Sequence, residues 1–313
     1  MKRILIAFPL VFLSFEATSA EPSSSPLALN LNSDSLSFDV GLGWLKGESK
    51  EYVYDPNSKY KISQLNWNIG NALIAKGNIS WDAFYRLTLN TRGWIKLTSR
   101  NSSMDDYDWE FKQSHWSDWS SSPDSPLNYA NEFDLNATGW LIKQFNYKLG
   151  AILGYQETRF SWTAYGGHYI YNNGMNVGDF PSGTQGIGYQ QKYRFPYIGL
   201  IGQYRYQDLE FNVLLKFSQW VKAKDHDEHY MRNLTFYEES NNVRYYSISI
   251  DAGYYVTPKV KVYTAFVWNK YREGKGDMMK IDNDSRTNYY SGGDSAGIAN
   301  RNYSIDLGVQ YRF

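Results

Sequence analysis

The sequence predicts an all-β protein: a ten-stranded antiparallel β-barrel that crosses an outer membrane and extends above it. Three observations lead there. The chain opens on an export signal, its long segments alternate apolar and polar residues one by one, and it ends on such a segment with a terminal Phe313. A mean hydropathy of −0.56 excludes a bundle of membrane-spanning helices. It leaves a barrel open, because only alternate residues of a barrel strand face lipid.

At the N-terminus, Lys2 and Arg3 precede the apolar run 4–15, and Ala17, Thr18, Ser19 and Ala20 supply small residues after it. This is the layout of a secretory signal peptide over 1–20. Its apolar core falls short of the roughly 20 residues a spanning helix needs. Residues 21–313 then form one domain, with no internal repeat and no linker beyond the Ser/Pro-containing stretch 21–32.

The alternation is clearest at the C-terminus. Tyr303, Ile305, Leu307, Val309, Tyr311 and Phe313 share one face; Ser304, Asp306, Gly308, Gln310 and Arg312 share the other. Aromatics at the end of an apolar face suit a membrane-interface girdle. Tyr246, Ile248, Ile250, Ala252 and Tyr254 repeat the pattern, as do Leu209–Phe217 and Leu149–Tyr155 by twos. The resulting strands cover 36–53, 60–77, 82–100, 127–143, 146–171, 185–206, 209–226, 233–255, 258–273 and 298–313. Connections 144–146, 207–208 and 257–258 are short, whereas 101–126, 172–184 and 274–297 are long and polar. Short turns face the periplasm and long loops the outside in such barrels. The third and seventh strands therefore both end at the cell surface, nearly across the mouth from each other.

Charge and cysteine content remove several functions. Lys plus Arg and Asp plus Glu each number 32, so no basic field points to nucleic acid. The absence of cysteine excludes disulfides, a thiolate nucleophile and cysteine-bound zinc.

Two clusters at the strand ends carry chemistry. Asp106 and Asp108 are two apart and share a face of an extended chain, where two close carboxylates resist joint ionisation. Asp227 and His229 are likewise two apart, with Asp225 below them; a carboxylate beside imidazole orients a general base. Acidic residues in surface loops are usually solvated, which is the bland alternative for either cluster. No EF-hand spacing supports calcium. Zinc through His226 and His229 is disfavoured because residues three apart point to opposite faces of a strand. His115 and His168 read as lone loop histidines.

The motifs containing these residues resemble the omptins, a family of outer-membrane proteases with ten-stranded barrels. The resemblance rests on Asp106-Tyr-Asp108-Trp109, Asn128-Tyr-Ala-Asn-Glu-Phe-Asp134, Gly154-Tyr-Gln-Glu-Thr-Arg159, Asp225-His-Asp-Glu-His229 and Gly253-Tyr-Tyr-Val-Thr-Pro258. It runs from about residue 36 to Phe313, and the segments 105–108, 231–236 and 292–298 are closest to the plasminogen-activator branch.

The resemblance implies that Asp227 and His229 activate a water, with Asp106 and Asp108 facing them across the mouth. It implies no covalent acyl-enzyme, no metal and no cofactor, but lipopolysaccharide as an activating lipid. Glu51 and Asp225 match the specificity positions, and both being acidic suits Arg or Lys at the cleavage site. Asp118 matches a further acidic subsite. Tyr155, Glu157 and Arg159 have the lipid-facing parity of Leu149 and Leu153, and Lys192 and Arg194 that of Ile198 and Leu200. The family uses this patch to bind lipopolysaccharide; Lys192 standing where Arg is frequent and Asn241 near a Lys position depart from its pattern. Lys275, in the Glu273–Gly276 stretch read as a flexible loop, matches a self-cleavage point.

The leading expectation is thus an endopeptidase at the bacterial surface, acting on host proteins or cationic peptides at basic residues. A non-catalytic adhesin is the alternative. A diffusion porin is third, since a barrel this narrow fills its lumen with side chains.

Overall fold

The computed structural model describes residues 29–110 and 112–313; the signal-peptide reading of 1–20 lies outside the described residues. Twelve strands build one antiparallel sheet: β1 (Leu36–Tyr54), β2 (Lys61–Phe84), β3 (Leu87–Arg100), β4 (Met104–Asp108), β5 (Asp118–Ser122), β6 (Leu127–Lys143), β7 (Tyr147–Tyr171), β8 (Asn176–Tyr206), β9 (Leu209–His229), β10 (Leu234–Thr257), β11 (Val260–Asp282) and β12 (Thr287–Arg312). The sheet closes because β1 pairs with both β2 and β12, Val40 lying opposite Val309 and Gly77. β3 and β4 are one crossing interrupted at 101–103, and β5 and β6 another interrupted at 123–126, so β2 and β7 each pair with two successive strands. The wall therefore has ten crossings, as the alternation predicts.

Closure is what hydrocarbon demands, since lipid offers no partner to an open strand edge. The outward residues of the lower half are apolar: Phe38, Val40, Leu42 and Trp44 on β1, Ile305, Leu307 and Val309 on β12, Phe211, Val213 and Leu215 on β9. Exposed Trp44 and Tyr303 mark the upper edge of this band, and Tyr204, Tyr254, Tyr311 and Phe313 the lower.

The lumen is filled. Tyr193, Phe195, Tyr197, Tyr245 and Tyr271 are buried across it, with Tyr193 and Tyr271 stacked 4.1 Å apart. Beside them Asp134 accepts hydrogen bonds from Arg92 (2.9 Å), Tyr197 (2.7 Å) and Lys216, which joins β3, β6, β8 and β9 across the barrel. Such a buried charge is tolerable only when so fully partnered. A lumen cavity of about 440 Å³ remains at membrane level, lined by Asp39, Lys76, Asn90 and Asp251 among others. An aromatic plug across the lumen removes the porin reading.

Two features depart from the sequence expectation. First, the long loops are largely strand: 176–184, 274–282 and 287–297 extend β8, β11 and β12, and 104–108 pairs with 118–122. Polar composition misled because these strand ends have water on their outer side. The first lower turn also falls at Tyr85-Arg86, after β2 continues through Trp81, rather than at 78–81.

Second, the strands do not alternate strictly. On β9 the even residues Leu214, Lys216 and Ser218 face inward, but above them the odd residues Val221, Ala223, Asp225, Asp227 and His229 do. One extra residue at Gln219-Trp220 makes the change: Ser218 lies opposite Tyr245, yet Val221 lies opposite Val243. The Ser218 hydroxyl closes this bulge, accepting from the Trp220 N–H (3.1 Å) and donating to the Pro196 carbonyl on β8 (2.7 Å). Pro196 has no N–H to leave unpaired at the disrupted ladder. β10 bulges at Asn241-Asn242, and there the inward set passes from Tyr245 and Val243 to Ser240 and Glu238. A Cβ on neighbouring Gly276 would collide with the Glu239 carbonyl, so only glycine fits there. A bulge adds one residue and so exchanges the two faces of everything beyond it.

This gives a direct test. Deleting Trp220 should restore strict alternation and turn 221–229 inside out. The chain has no native cysteine, so a single Lys224→Cys reports the outcome. It should react rapidly with a bulky water-soluble maleimide in the parent and be strongly protected in the deletion variant. Equal labelling in both folded proteins would refute the parity assignment.

Candidate active site

The bulges turn a set of acidic groups into the upper lumen, above the apolar band. On β9, Asp227 is 1% and His229 8% exposed, and His229 Nε2 lies 2.7 Å from Asp227 Oδ2. Phe236, directly opposite Asp227 on β10, packs edge-on against the imidazole at 5.2 Å and fixes its plane. With Nε2 committed to the carboxylate, Nδ1 is the nitrogen that faces other groups. It accepts a hydrogen bond from the Arg232 guanidinium, in the turn just after β9.

Asp106 and Asp108 sit on β4, flanked by β2 and β5. The Ser63 hydroxyl reaches Asp106 at 3.5 Å. Asp118 is directly opposite Asp108 on β5, which puts both on one face. The Asn172 N–H donates to Asp118 Oδ1 at 3.0 Å, whereas Oδ2 is buried and unpartnered. Burial, then the like charge of Asp108, push the Asp106 carboxyl well above the usual range; burial raises Asp108 too, against the Ser63 hydroxyl and Arg232. Asp227 bears on Asp106, and His229 on Asp108, so the two pairs form one electrostatic unit with Arg232 as its cation.

Below this unit, Glu51 on β1 and Asp225 on β9 are 2% and 5% exposed. Tyr189 donates to Asp225 (3.0 Å), and Gln191 donates to Tyr189 (2.7 Å) and to the carbonyl of Lys50 (3.1 Å). Tyr189 in turn stacks on Trp67 with centroids 5.1 Å apart, making an aromatic floor. Burial, followed by the charges of Asp227, Asp225 and Asp106, raises Glu51 well above its ordinary range; burial and Asp227 do the same to Asp225. Glu51 Oε2 and Asp225 Oδ1 have no hydrogen-bond partner.

The remaining predicted positions fall into two places. Tyr155, Glu157, Arg159, Lys192 and Arg194 face outward just above the apolar band on β7 and β8. Glu157 is ringed by three cations: Arg194 at 2.6 Å, Lys192 at 3.2 Å, and Arg159. One carboxylate among three cations leaves the patch positive. Lys275 is not in a flexible loop; it lies within β11 opposite Gly297. Its carbonyl accepts from Ser240 (3.0 Å), and its ammonium lies 3.7 Å from the Tyr54 ring centroid. A cut after Lys275 therefore requires this strand end to unzip.

Sequence reading missed Arg232, Ser63, Tyr189 and Glu238. Arg232 lay inside a motif noted only for its likeness, and the other three become neighbours through register alone. His226 faces away from the site, stacked on Tyr237 at 4.6 Å and paired with Glu228 at 2.8 Å.

The electrostatics predict a pH dependence of stability. A carboxyl raised by folding keeps a proton that the unfolded chain releases. Its stabilisation is complete below the unfolded value of about 4 and is lost as pH rises through the folded value. Thermal unfolding in detergent should therefore fall from pH 4 toward pH 8. Asp225→Asn should gain several degrees on the parent at pH 8 and little at pH 4. An equal offset at both pH values would contradict the assignment.

The chain and its fold have counterparts among known proteins. The family model described as the Omptin family matches residues 32–313. The plasminogen activator of Yersinia pestis is 52% identical over 100% of this chain and 99% of its own. Protease 7 of Escherichia coli strain K12 is 41% identical, over 99% of this chain and 98% of its own. The crystal structure of the outer-membrane protease OmpT from Escherichia coli superposes with a TM-score of 0.88 at 43% identity, covering 92% of this chain and all of that one. The chain belongs to the omptin family of outer-membrane proteases.

Proposed function

We propose that this protease is a cell-surface endopeptidase that cuts beside Arg or Lys with a water activated by His229, and that lipopolysaccharide switches it on. The observation carrying this reading is the buried Asp227–His229 pair, 2.7 Å apart, opening onto the half-buried Asp106 and Asp108. The site end faces outside in this reading, since the tight two- and three-residue turns at the other end suit the periplasm.

In the reaction, Arg232 withdraws from His229 Nδ1, and that lone pair takes a proton from water as its oxygen bonds to the peptide carbonyl carbon. Asp227 stabilises the imidazolium. Either Asp106 or Asp108, holding a proton, donates to the water or to the developing oxyanion. Collapse breaks the C–N bond, and the imidazolium returns its proton to the departing amine. Glu51 and Asp225, buried with unpartnered oxygens, supply counter-charge to a basic side chain. The printed name of the Yersinia relative makes plasminogen one candidate substrate; cationic peptides and complement proteins offer the same basic sites.

Turnover should need both sides of the mouth. Asp106→Ala and His229→Ala should each cut hydrolysis of an Arg-centred fluorogenic peptide by intact cells ~10²–10⁴-fold, as expected for loss of a positioned base. A folded mutant of either kind with near-normal turnover would sink the mechanism.

Lipid activation has its own observation, the positive patch around Glu157. Anionic lipid phosphates would meet Arg159, Lys192 and Arg194 at headgroup depth. Detergent-refolded protein should gain most of its activity on adding rough lipopolysaccharide, and Arg159→Ala with Lys192→Ala should lose that response. Full activity without lipid, or an undiminished response in the double mutant, would leave the patch as a membrane anchor.

A further inference from the structure

The pocket beneath the dyad contains a third acid that no motif marks. Glu238 is on β10, directly opposite Asp225 on β9, and is 2% exposed. The bulge at Asn241-Asn242 turns it inward, while its neighbour Glu239 points out and pairs with Lys224 at 2.6 Å. Neither carboxyl oxygen of Glu238 receives a hydrogen bond from a donor group of the protein. Among the described residues, no Lys, Arg or His forms an ion pair with Glu51, Asp225 or Glu238.

We propose that Glu238 is a third cation-binding carboxyl of this pocket, and that it makes the pocket prefer a guanidinium to an ammonium group. The inference rests on the basic-residue reading above and sharpens it to arginine. Burying an unpaired carboxyl is costly, and burying three side by side more so. Such a cluster suits a cation that the substrate brings. Burial first, then the charges of Asp225 and Glu51, hold the Glu238 carboxyl well above its usual range.

The geometry of the two basic side chains then matters. An ammonium is a compact point charge with three donors, which Glu51 and Asp225 can satisfy along with the Tyr189 hydroxyl. A guanidinium is planar and presents five N–H groups in a fixed fork. Its extra edge needs an acceptor, and Glu238 lies beside Asp225 to provide one.

The test uses full-length protein in outer-membrane fragments from a host lacking its own omptin, so the native lipid stays bound. Three peptides differ only in carrying Arg, Lys or neutral citrulline at the cleavage position. Wild type should rank Arg above Lys and both far above citrulline. Glu238→Gln and Glu238→Ser should each lower kcat/KM for the Arg peptide about tenfold, the worth of one charge-assisted hydrogen bond. The loss should lie mainly in KM and be smaller for Lys, so the Arg-to-Lys ratio falls. Glu238→Asp keeps the acid with a shorter reach and should give an intermediate ratio; it also serves if the neutral variants fail to assemble. A wild type indifferent to the charge of the residue overturns the basic-pocket reading and this inference together. A wild type that prefers basic residues, with folded variants of unchanged Arg-to-Lys ratio, overturns the role of Glu238 alone.

Discussion

Everything at the mouth of this barrel depends on which face of the wall a residue occupies, and two bulges decide that. A closed sheet has an inside and an outside, and a strand assigns its residues to them by parity. On β9 the odd residues from Leu209 to Leu215 face lipid; carried upward unchanged, that parity would hold Asp225, Asp227 and His229 outside the barrel. The extra residue at Gln219-Trp220 reverses it just above the membrane, and Asn241-Asn242 does the same for Glu238 on β10. Membrane insertion and the proposed catalysis thus make opposite demands on one strand, and the bulge lets each half meet its own.

The arrangement explains where stability resides. The lower half is held by an unbroken hydrogen-bonded ring and by Asp134 with its full set of partners. The upper half does the reverse: Glu51, Asp106, Asp225 and Glu238 all have carboxyls that burial and mutual repulsion push toward the protonated form. A fully partnered upper lumen would be more stable and would have nothing left for the proposed roles of holding a substrate cation and activating a water. The lower barrel and the aromatic floor of Trp67, Trp162 and Tyr189 supply the rigidity that such a site lacks.

The ten crossings, the lower turns at 144–146 and 207–208, and the pairing of Asp227 with His229 were legible in the sequence, because each depends on spacing of two or on a short polar gap. What was illegible depends on register. Nothing in residues 274–297 distinguishes a polar loop from a strand end with water on its outer side, so the sequence predicts a flexible loop where Lys275 lies in a paired strand. The bulges left faint marks, a polar Ser218-Gln219 break and Pro196 on the partner strand, yet only the pairing shows that they exchange the faces. Glu238 meets Asp225 across two strands and a bulge, beyond the reach of any local pattern.

The same alternation supplies a physical route for the proposed lipid control. Lys192 faces outward on β8, and its neighbours Gln191 and Tyr193 face inward. Gln191 lies opposite Asp225 and donates to the carbonyl of Lys50, one residue before Glu51; it also donates to Tyr189, which holds Asp225. An anion drawing Lys192 and Arg194 away from Glu157 would therefore act on a strand whose next side chain spans the lumen and touches both walls of the pocket. The path to Asp225 involves one peptide step and two hydrogen bonds, and that to the carbonyl before Glu51 one peptide step and one hydrogen bond, all within a stiff, paired sheet. A displacement of about 1 Å at reacting groups can change a rate ~10²-fold, so modest bracing from outside suffices. Coupling of this kind needs no hinge or moving domain, because the β8 backbone itself separates the outward-facing cations from the proposed substrate pocket.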